Sequence, residues 1–302
     1  MRKQLCDALV ARASKPDLVF LTGDLGFMAL EGLHAALGPR FINAGVAEQN
    51  MVSVAAGLAR QGLEAWVYSI APFLYARPFE QLRNDVAFHG LPVKLIGNGG
   101  GYGYGVMGPT HHAIEDYGVL LTLPHMQAYV PVFDEDVAAV IDGAGAATHP
   151  VYIRLGRGEP PKDYKLPAYA PWRQLTSGGG PVVIAVGPLA GTCILPFRQL
   201  PEASRPNLWA LSQLPLDHNP MPAQLLEQIA ASDRLHVVEE HVKRGSFGAE
   251  LAMFLVEREG AYPRLVHHCA RAHQFERYGS QQFMRKCSGL DPQSVLAALG
   301  AA

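Results

Sequence analysis

Two domains of the α/β class, each a doubly wound and mainly parallel sheet, are what this sequence predicts, and three observations predict it. Apolar runs of strand length alternate with helical segments from the start of the chain to Ile153. The alternation begins again at Pro181-Val182-Val183-Ile184-Ala185-Val186, after a stretch rich in Pro, Gly and charge. The length, 302 residues, is that of about two domains. Strands separated by helices need crossover connections, which give parallel sheets covered on both faces. The predicted division is 1–170 and 171–302.

The elements follow in order. Residues 2–13 read as an amphipathic helix, and Leu18-Val19-Phe20-Leu21 as a buried strand ending at Thr22-Gly23-Asp24. Phe41-Ile42-Asn43 is a second strand. After the Gly45 turn a helix spans 47–61, with Ala47, Met51, Val54, Ala55 and Leu58 on one apolar face. Ala65 to Ser69 is a third strand, and 72–89 a helix that tolerates Pro78 only with a kink or a late start. Pro92 to Ile96 is a strand, followed by a Gly-rich loop over 97–108. Met126–Val130 is a strand, 134–147 a helix, and Val151–Ile153 the last strand of the first half. Residues 156–180 read as a linker. The second half is predicted to carry strands near 207–211, 234–239 and 263–268, with helices near 222–231, 246–258 and 290–299.

Composition excludes several classes. Hydrophobic residues are 49% and charged residues 17%, enough for a sizeable core. A net charge of −2 gives no footprint for nucleic acid. No apolar run reaches the ~20 residues that span a bilayer. Met1-Arg2-Lys3 is followed by Asp7 and Arg12 rather than by an apolar core, so no secretory signal is expected. Cys6, Cys193, Cys269 and Cys287 form no close pair, which points to free thiols in a reducing cytoplasm.

Glu48, in the first turn of the helix after Gly45, is the first candidate for chemistry. An acid there is ordinary by itself, because the helix dipole favours it. Four further pieces change its weight: Thr22-Gly23-Asp24-Leu25, Pro72-Phe73-Leu74, Gly108-Pro109-Thr110-His111, and Arg154-Leu155-Gly156-Arg157-Gly158. With Gly45-Val46-Ala47-Glu48-Gln49-Asn50 and Ala55-Ala56-Gly57-Leu58-Ala59, their order and spacing resemble the transketolase superfamily of thiamine-diphosphate enzymes. The resemblance runs over essentially the whole chain. It corresponds to the second half of a transketolase, a pyrimidine-binding domain followed by the C-terminal domain, without the half that holds the diphosphate.

The resemblance implies roles for particular residues. Glu48 would hydrogen-bond the aminopyrimidine nitrogen, favouring the imino form that takes the thiazolium C2 proton. A carboxyl in a mostly apolar pocket is suited to sharing a proton in this way. Phe73 would pack on the aminopyrimidine ring and Phe79 would close the same pocket; core packing is the ordinary use of such aromatics. The aromatic common three residues after Phe73 is Ala76 here. His111 would lie near the thiazolium and hydrogen-bond substrate oxygens, and Arg157 would bind a substrate phosphate or else be a surface arginine at a domain junction. Glu115 and Asp116 are expected to cap or orient the next turn. The Gly97–Gly105 loop lacks a nucleotide fingerprint and is expected at the mouth of the cofactor site. Glu239-Glu240-His241 and Gly245-Ser246-Phe247-Gly248 resemble a strand-to-helix turn of the family and are read as structural.

Three departures stand out. Met107 replaces an aspartate that holds a sugar hydroxyl, Gly99 a histidine that binds phosphate, and Met28 lies near the place of a serine. The implied protein is the β-type subunit of a split transketolase that transfers a two-carbon ketol unit between sugars. A diphosphate-binding α-type partner would supply the Mg2+ site in an α2β2 heterotetramer. The donor would differ from a common ketose phosphate. Two alternatives stay open: the β subunit of a 2-oxo acid dehydrogenase E1 component, and a non-catalytic scaffold subunit of the same fold.

Overall fold

The computed structural model describes residues 1–258, 262–274 and 276–300. It contains two sheets. Helix α1 (Arg2–Arg12) leads through β1 (Leu18–Thr22) and α2 (Glu31–Leu37) to β2 (Phe41–Asn43), α3 (Glu48–Arg60) and β3 (Glu64–Ile70). Short helices α4 (Ala71–Tyr75) and α5 (Phe79–Gln81) follow, the latter running into a π-helical turn over Leu82–Ala87. Then come β4 (Lys94–Asn98), α6 (Asp116–Leu120), β5 (Gln127–Tyr129), α7 (Val137–Ala146) and β6 (Val151–Leu155). The second half holds β7 (Trp172–Thr176), β8 (Val182–Val186), α8 (Leu189–Arg198), β9 (Asn207–Leu211), β10 (Gln213–Leu214), α9 (Ala223–Ala230), β11 (Arg234–Val242), α10 (Phe247–Val256), β12 (Arg264–Ala270), α11 (Gln281–Ser288) and α12 (Pro292–Leu299).

The first sheet has the order β10-β5-β6-β4-β3-β1-β2 and the second β12-β11-β8-β9-β7. All pairings are parallel except two: β10 on β5, and β7 on β9. β1, β4, β6, β8 and β9 are buried along their whole length, as expected of parallel strands covered on both faces. One core lies under α3 and α4, and another between the sheet and α1, α2 and α7. No helix among the described residues is long and apolar enough to cross a membrane.

Four expectations are corrected. The stretch 156–180 is not only a linker, because it contains β7, the antiparallel edge of the second sheet. The helix expected over 72–89 breaks at Ala76-Arg77-Pro78, since Pro78 has no N–H to continue it. The buried stripe of α3 is Met51, Val52, Ala55, Ala56 and Ala59, while Val54 is exposed. The stripe is rotated because α3 packs against β3 and the π-helical turn, which the sequence spacing alone does not reveal. Finally, α2, α6, α8 and α11 have no counterpart among the predicted elements; α6 has only five residues, too short for a periodic signal. In addition, β10 brings a strand from beyond residue 171 to complete the edge of the first sheet.

Candidate active site

The candidate residues gather at the C-terminal ends of β1–β4, where an open parallel sheet forms its ligand crevice. The turn after β1 runs through Gly23, and the turn after β2 through Gly45, whose φ of 70° suits glycine. Asn43 ties the two turns together: its side-chain amide donates to Asp24 Oδ1 at 2.9 Å, and its Oδ1 accepts from the Asp24 and Gly45 N–H groups. A Cβ built on Gly23 would lie 3.3 Å from the Gly45 carbonyl and 3.8 Å from Glu48 Oε1. Glycine there keeps the flank of Glu48 clear.

Glu48 is the first residue of α3 and is 3% exposed. Its carboxylate turns across the crevice. Oε1 accepts from Ser69 Oγ at 3.3 Å, and Oε2 accepts from Arg77 Nη1 at 2.9 Å. The mostly apolar surrounding expected for this carboxyl is therefore corrected: a hydroxyl and a guanidinium face it. Arg77 also lies over the Phe73 ring, 4.0 Å from its centroid. Phe73 meets His111 edge to face at 5.1 Å, and His111 faces Tyr104 at 6.3 Å. Thr110 Oγ1 and His111 Nδ1 are hydrogen-bonded at 3.0 Å. Glu48, Arg77, Phe73, His111 and Tyr104 thus form one chain of contacts. Phe79 is half-buried and packs against the core that α3 contributes to.

Arg157 is exposed and lines a separate polar cavity of about 140 Å3 with Arg2, Asn98, Gly99, Tyr104 and Gln281. Tyr104 connects this cavity to His111; its hydroxyl accepts from Asn98 Nδ2. Gly99 has a φ of 73°, and a Cβ there would land on the Tyr104 ring. The departure at position 99 therefore has a local cause, because Tyr104 fills the space beside it. Met107 and Met28 are both exposed, and Met28 adopts a φ of 60°.

The pair expected to cap a turn does other work. Glu115 accepts from Tyr75 Oη at 3.0 Å and from His273 Nε2 at 2.6 Å. Burial pushes its carboxyl up, but the His273 hydrogen bond and charge outweigh this and leave it below the usual carboxylate range. Asp116 is fully buried, paired with Arg154 Nε at 3.0 Å and accepting from Tyr152 Oη at 2.8 Å. Neither carboxylate caps α6. A buried guanidinium and a histidine from the second half outcompete the helix end, and neither is adjacent in sequence. His112 is buried and donates from Nε2 to the Gly105 carbonyl at 3.1 Å, while Nδ1 has no hydrogen-bond partner. Burial lowers this imidazole below its ordinary range.

The sequence reading missed Ser69, Arg77, Tyr104 and Arg2. A signal existed for Arg77, which stands four residues after Phe73, the spacing that stacks side chains on one helical face. Among the described residues no group of three or more His, Cys, Asp and Glu side chains could hold a metal ion.

The pyrimidine half of thiamine diphosphate fits what is present. A buried carboxylate stands beside an aromatic ring, and the planar guanidinium already seated between them shows that a flat nitrogenous group is accommodated.

Comparisons with known proteins bear on this site. Residues 1–162 match the family described as transketolase, pyrimidine binding domain. A protein of Actinobacillus succinogenes, named as one subunit of an apulose-4-phosphate transketolase, is 31% identical over 263 residues, 85% of this chain and 83% of that protein. The protein of the same name in Phocaeicola vulgatus is 36% identical over 167 residues, and the match spans only 53% of its length. The match to the 1-deoxy-D-xylulose-5-phosphate synthase of Nitratidesulfovibrio vulgaris spans 41% of that enzyme. A solved structure titled "Split gene transketolase, inactive beta4 tetramer" superposes with a TM-score of 0.83 at 28% identity, covering 100% of this chain and 97% of that one.

Proposed function

Because the chain belongs to the transketolase family and carries its pyrimidine-binding domain, we propose that it is the β-type subunit of a split transketolase-like enzyme that moves a two-carbon ketol unit between sugars. Residues 1–170 are taken as the pyrimidine-binding domain and 171–302 as the C-terminal domain. The observation that carries the reading is the Glu48 carboxylate: it is buried and reaches away from its own helix towards Ser69, Arg77 and Phe73. A carboxylate that only stabilised a helix start would point at that helix's N–H groups.

Thiamine diphosphate, when bound, supplies the nucleophilic carbon. Glu48 holds a proton at the pyrimidine ring nitrogen. Phe73 lies flat on the ring and excludes water, and Phe79 backs the pocket. His111 exchanges hydrogen bonds with substrate oxygens, held in place by Thr110 and the edge of Phe73. Arg157 takes a phosphate in the cavity beyond Tyr104. A modified donor sugar, deoxy, branched or lacking a phosphate, is favoured by Met107, which offers an apolar surface in place of a carboxylate. Two relatives are named for apulose 4-phosphate.

The diphosphate and Mg2+ would be held by an α-type partner, in an α2β2 complex in the cytoplasm. Support comes from exposed Phe27, Met28, Val46, Val106 and Met107, apolar side chains on the loops that follow β1, β2 and β4. Two relatives are named as single subunits of a larger transketolase, and a similar chain is titled as an inactive β4 tetramer. The test is hydrogen–deuterium exchange at C2 of the cofactor after mixing with the diphosphate-binding partner. Glu48→Gln should slow exchange about 10²–10⁴-fold, the loss typical of a general acid–base group. An unchanged rate would return Glu48 to the role of a helix-start residue.

A further inference from the structure

Arg77 meets Glu48 and Phe73 as a flat nitrogenous ring would. Its Nη1 donates to Glu48 Oε2 at 2.9 Å, and its guanidinium carbon stands 4.0 Å from the Phe73 centroid. A guanidinium is a planar, delocalised cation with an N–C–N edge. An aminopyrimidine presents the same edge, and the same charge once its ring nitrogen is protonated. The two contacts assigned to the pyrimidine are thus both made by one side chain of this chain.

The local sequence puts it there. Phe73 and Arg77 are four residues apart, so a helical turn brings the guanidinium over the ring. Pro78 then ends the turn and leaves Arg77 on a short bend between α4 and α5. The pair is also asymmetric. Glu48 is 3% exposed, whereas the Arg77 side chain is 45% exposed. Compare Arg154 with Asp116, which are 6% and 0% exposed. Arg154 is a brace locked between two parts of the fold; Arg77 has water on one side and room to swing away.

We propose that Arg77 is a gate on the cofactor seat. It neutralises the buried Glu48 carboxylate and covers Phe73, and it leaves both when the aminopyrimidine enters. This rests on the reading of Glu48 and Phe73 as the pyrimidine seat. The gate prevents an isolated buried charge, which would be costly, and it makes the ring compete with the arginine. The competition should weaken binding about 3- to 30-fold, the sum of a half-exposed ion pair and a cation–π contact.

The test uses the full chain and, as probe, the hydroxymethyl aminopyrimidine that forms half of thiamine. Binding is followed by calorimetry and by shifts in the chain's NMR spectrum, with circular dichroism to check the fold. Arg77→Ala should bind the probe 3- to 30-fold more tightly than the unmodified chain, and adding Glu48→Gln should abolish that gain. Arg77→Lys keeps the charge but loses the flat shape, so it should bind with intermediate affinity; it carries the test if the alanine variant does not fold. If both Arg77 variants bind no more tightly while Glu48→Gln weakens binding, the seat stands and the gate is wrong. If Glu48→Gln changes nothing in either background, or no variant binds the probe, the seat itself is wrong and the gate falls with it.

Discussion

Glu48 and Glu239 are both buried acids near the C-terminal end of a parallel sheet, and they are treated in opposite ways. Glu239, on β11, is fully buried and accepts hydrogen bonds from Tyr117 Oη, from His267 Nε2 at 2.7 Å, and from the Phe247 and Gly248 N–H groups at the start of α10. Burial pushes its carboxyl up, yet the His267 hydrogen bond and neighbouring histidine charges hold it below the usual range. Glu240 beside it is clasped by Arg285 and accepts from the Tyr102 N–H. His241 accepts from the Gly118 N–H and donates from Nδ1 to the Val242 carbonyl. Every one of these partners is fixed. Glu48 has one weak hydroxyl donor and one half-exposed guanidinium. An acid whose partners are all built in is a joint between elements; an acid held by a displaceable partner is a place where something else binds.

Four experiments can break or sharpen this contrast. The largest effect should separate the two acids by readout. Glu48→Gln is expected to lose about 10²–10⁴-fold in cofactor C2 exchange while shifting the unfolding midpoint little. Glu239→Gln is next. Breaking a buried, fully hydrogen-bonded charge costs about 3–5 kcal/mol, so urea denaturation should show a chain of sharply reduced stability. If Glu239→Gln were as stable as the parent, the joint reading would be wrong.

A smaller effect is expected at the polar cavity. Losing a charged hydrogen bond to a phosphate is worth about 1.5–3 kcal/mol, so Arg157→Ala should raise KM for a phosphorylated donor roughly 10- to 100-fold, with kcat less affected. Met107→Asp should at the same time improve use of ordinary ketose phosphates in a donor panel. An unchanged KM for every anionic donor would leave Arg157 a junction residue.

The smallest effect is on pH. His236 Nδ1 lies 3.1 Å from His268 Nε2. Burial first, then the His268 and Arg234 charges, lower His236 to about 4, and burial lowers His268 as well. Below the ordinary value of 6.5 the unfolded chain takes up protons that the folded chain refuses. The stabilisation is therefore complete above pH 6.5 and declines as pH falls towards 4. The urea midpoint should drop between about pH 7.5 and 5.5, and His236→Leu should flatten that slope. Equal slopes in the two proteins would remove the pair from the account.

The strand-forming runs were legible in the sequence because parallel strands buried on both faces must be continuous stretches of apolar residues, as Leu18–Thr22 and Val182–Val186 are. The motif glycines and Glu48, Phe73 and His111 were legible from their spacing, since each follows the end of a strand. What the sequence could not supply were partners that arrive from elsewhere in the chain. Arg154 reaching Asp116, His273 reaching Glu115, Tyr104 filling the space beside Gly99, and Gln213–Leu214 returning to the first sheet all depend on contacts across the fold. Local pattern fixes which face of an element is apolar; only packing decides which distant polar group meets a buried charge. That is why the position of Glu48 was evident from its sequence, while the guanidinium that faces it had to be found in the tertiary structure.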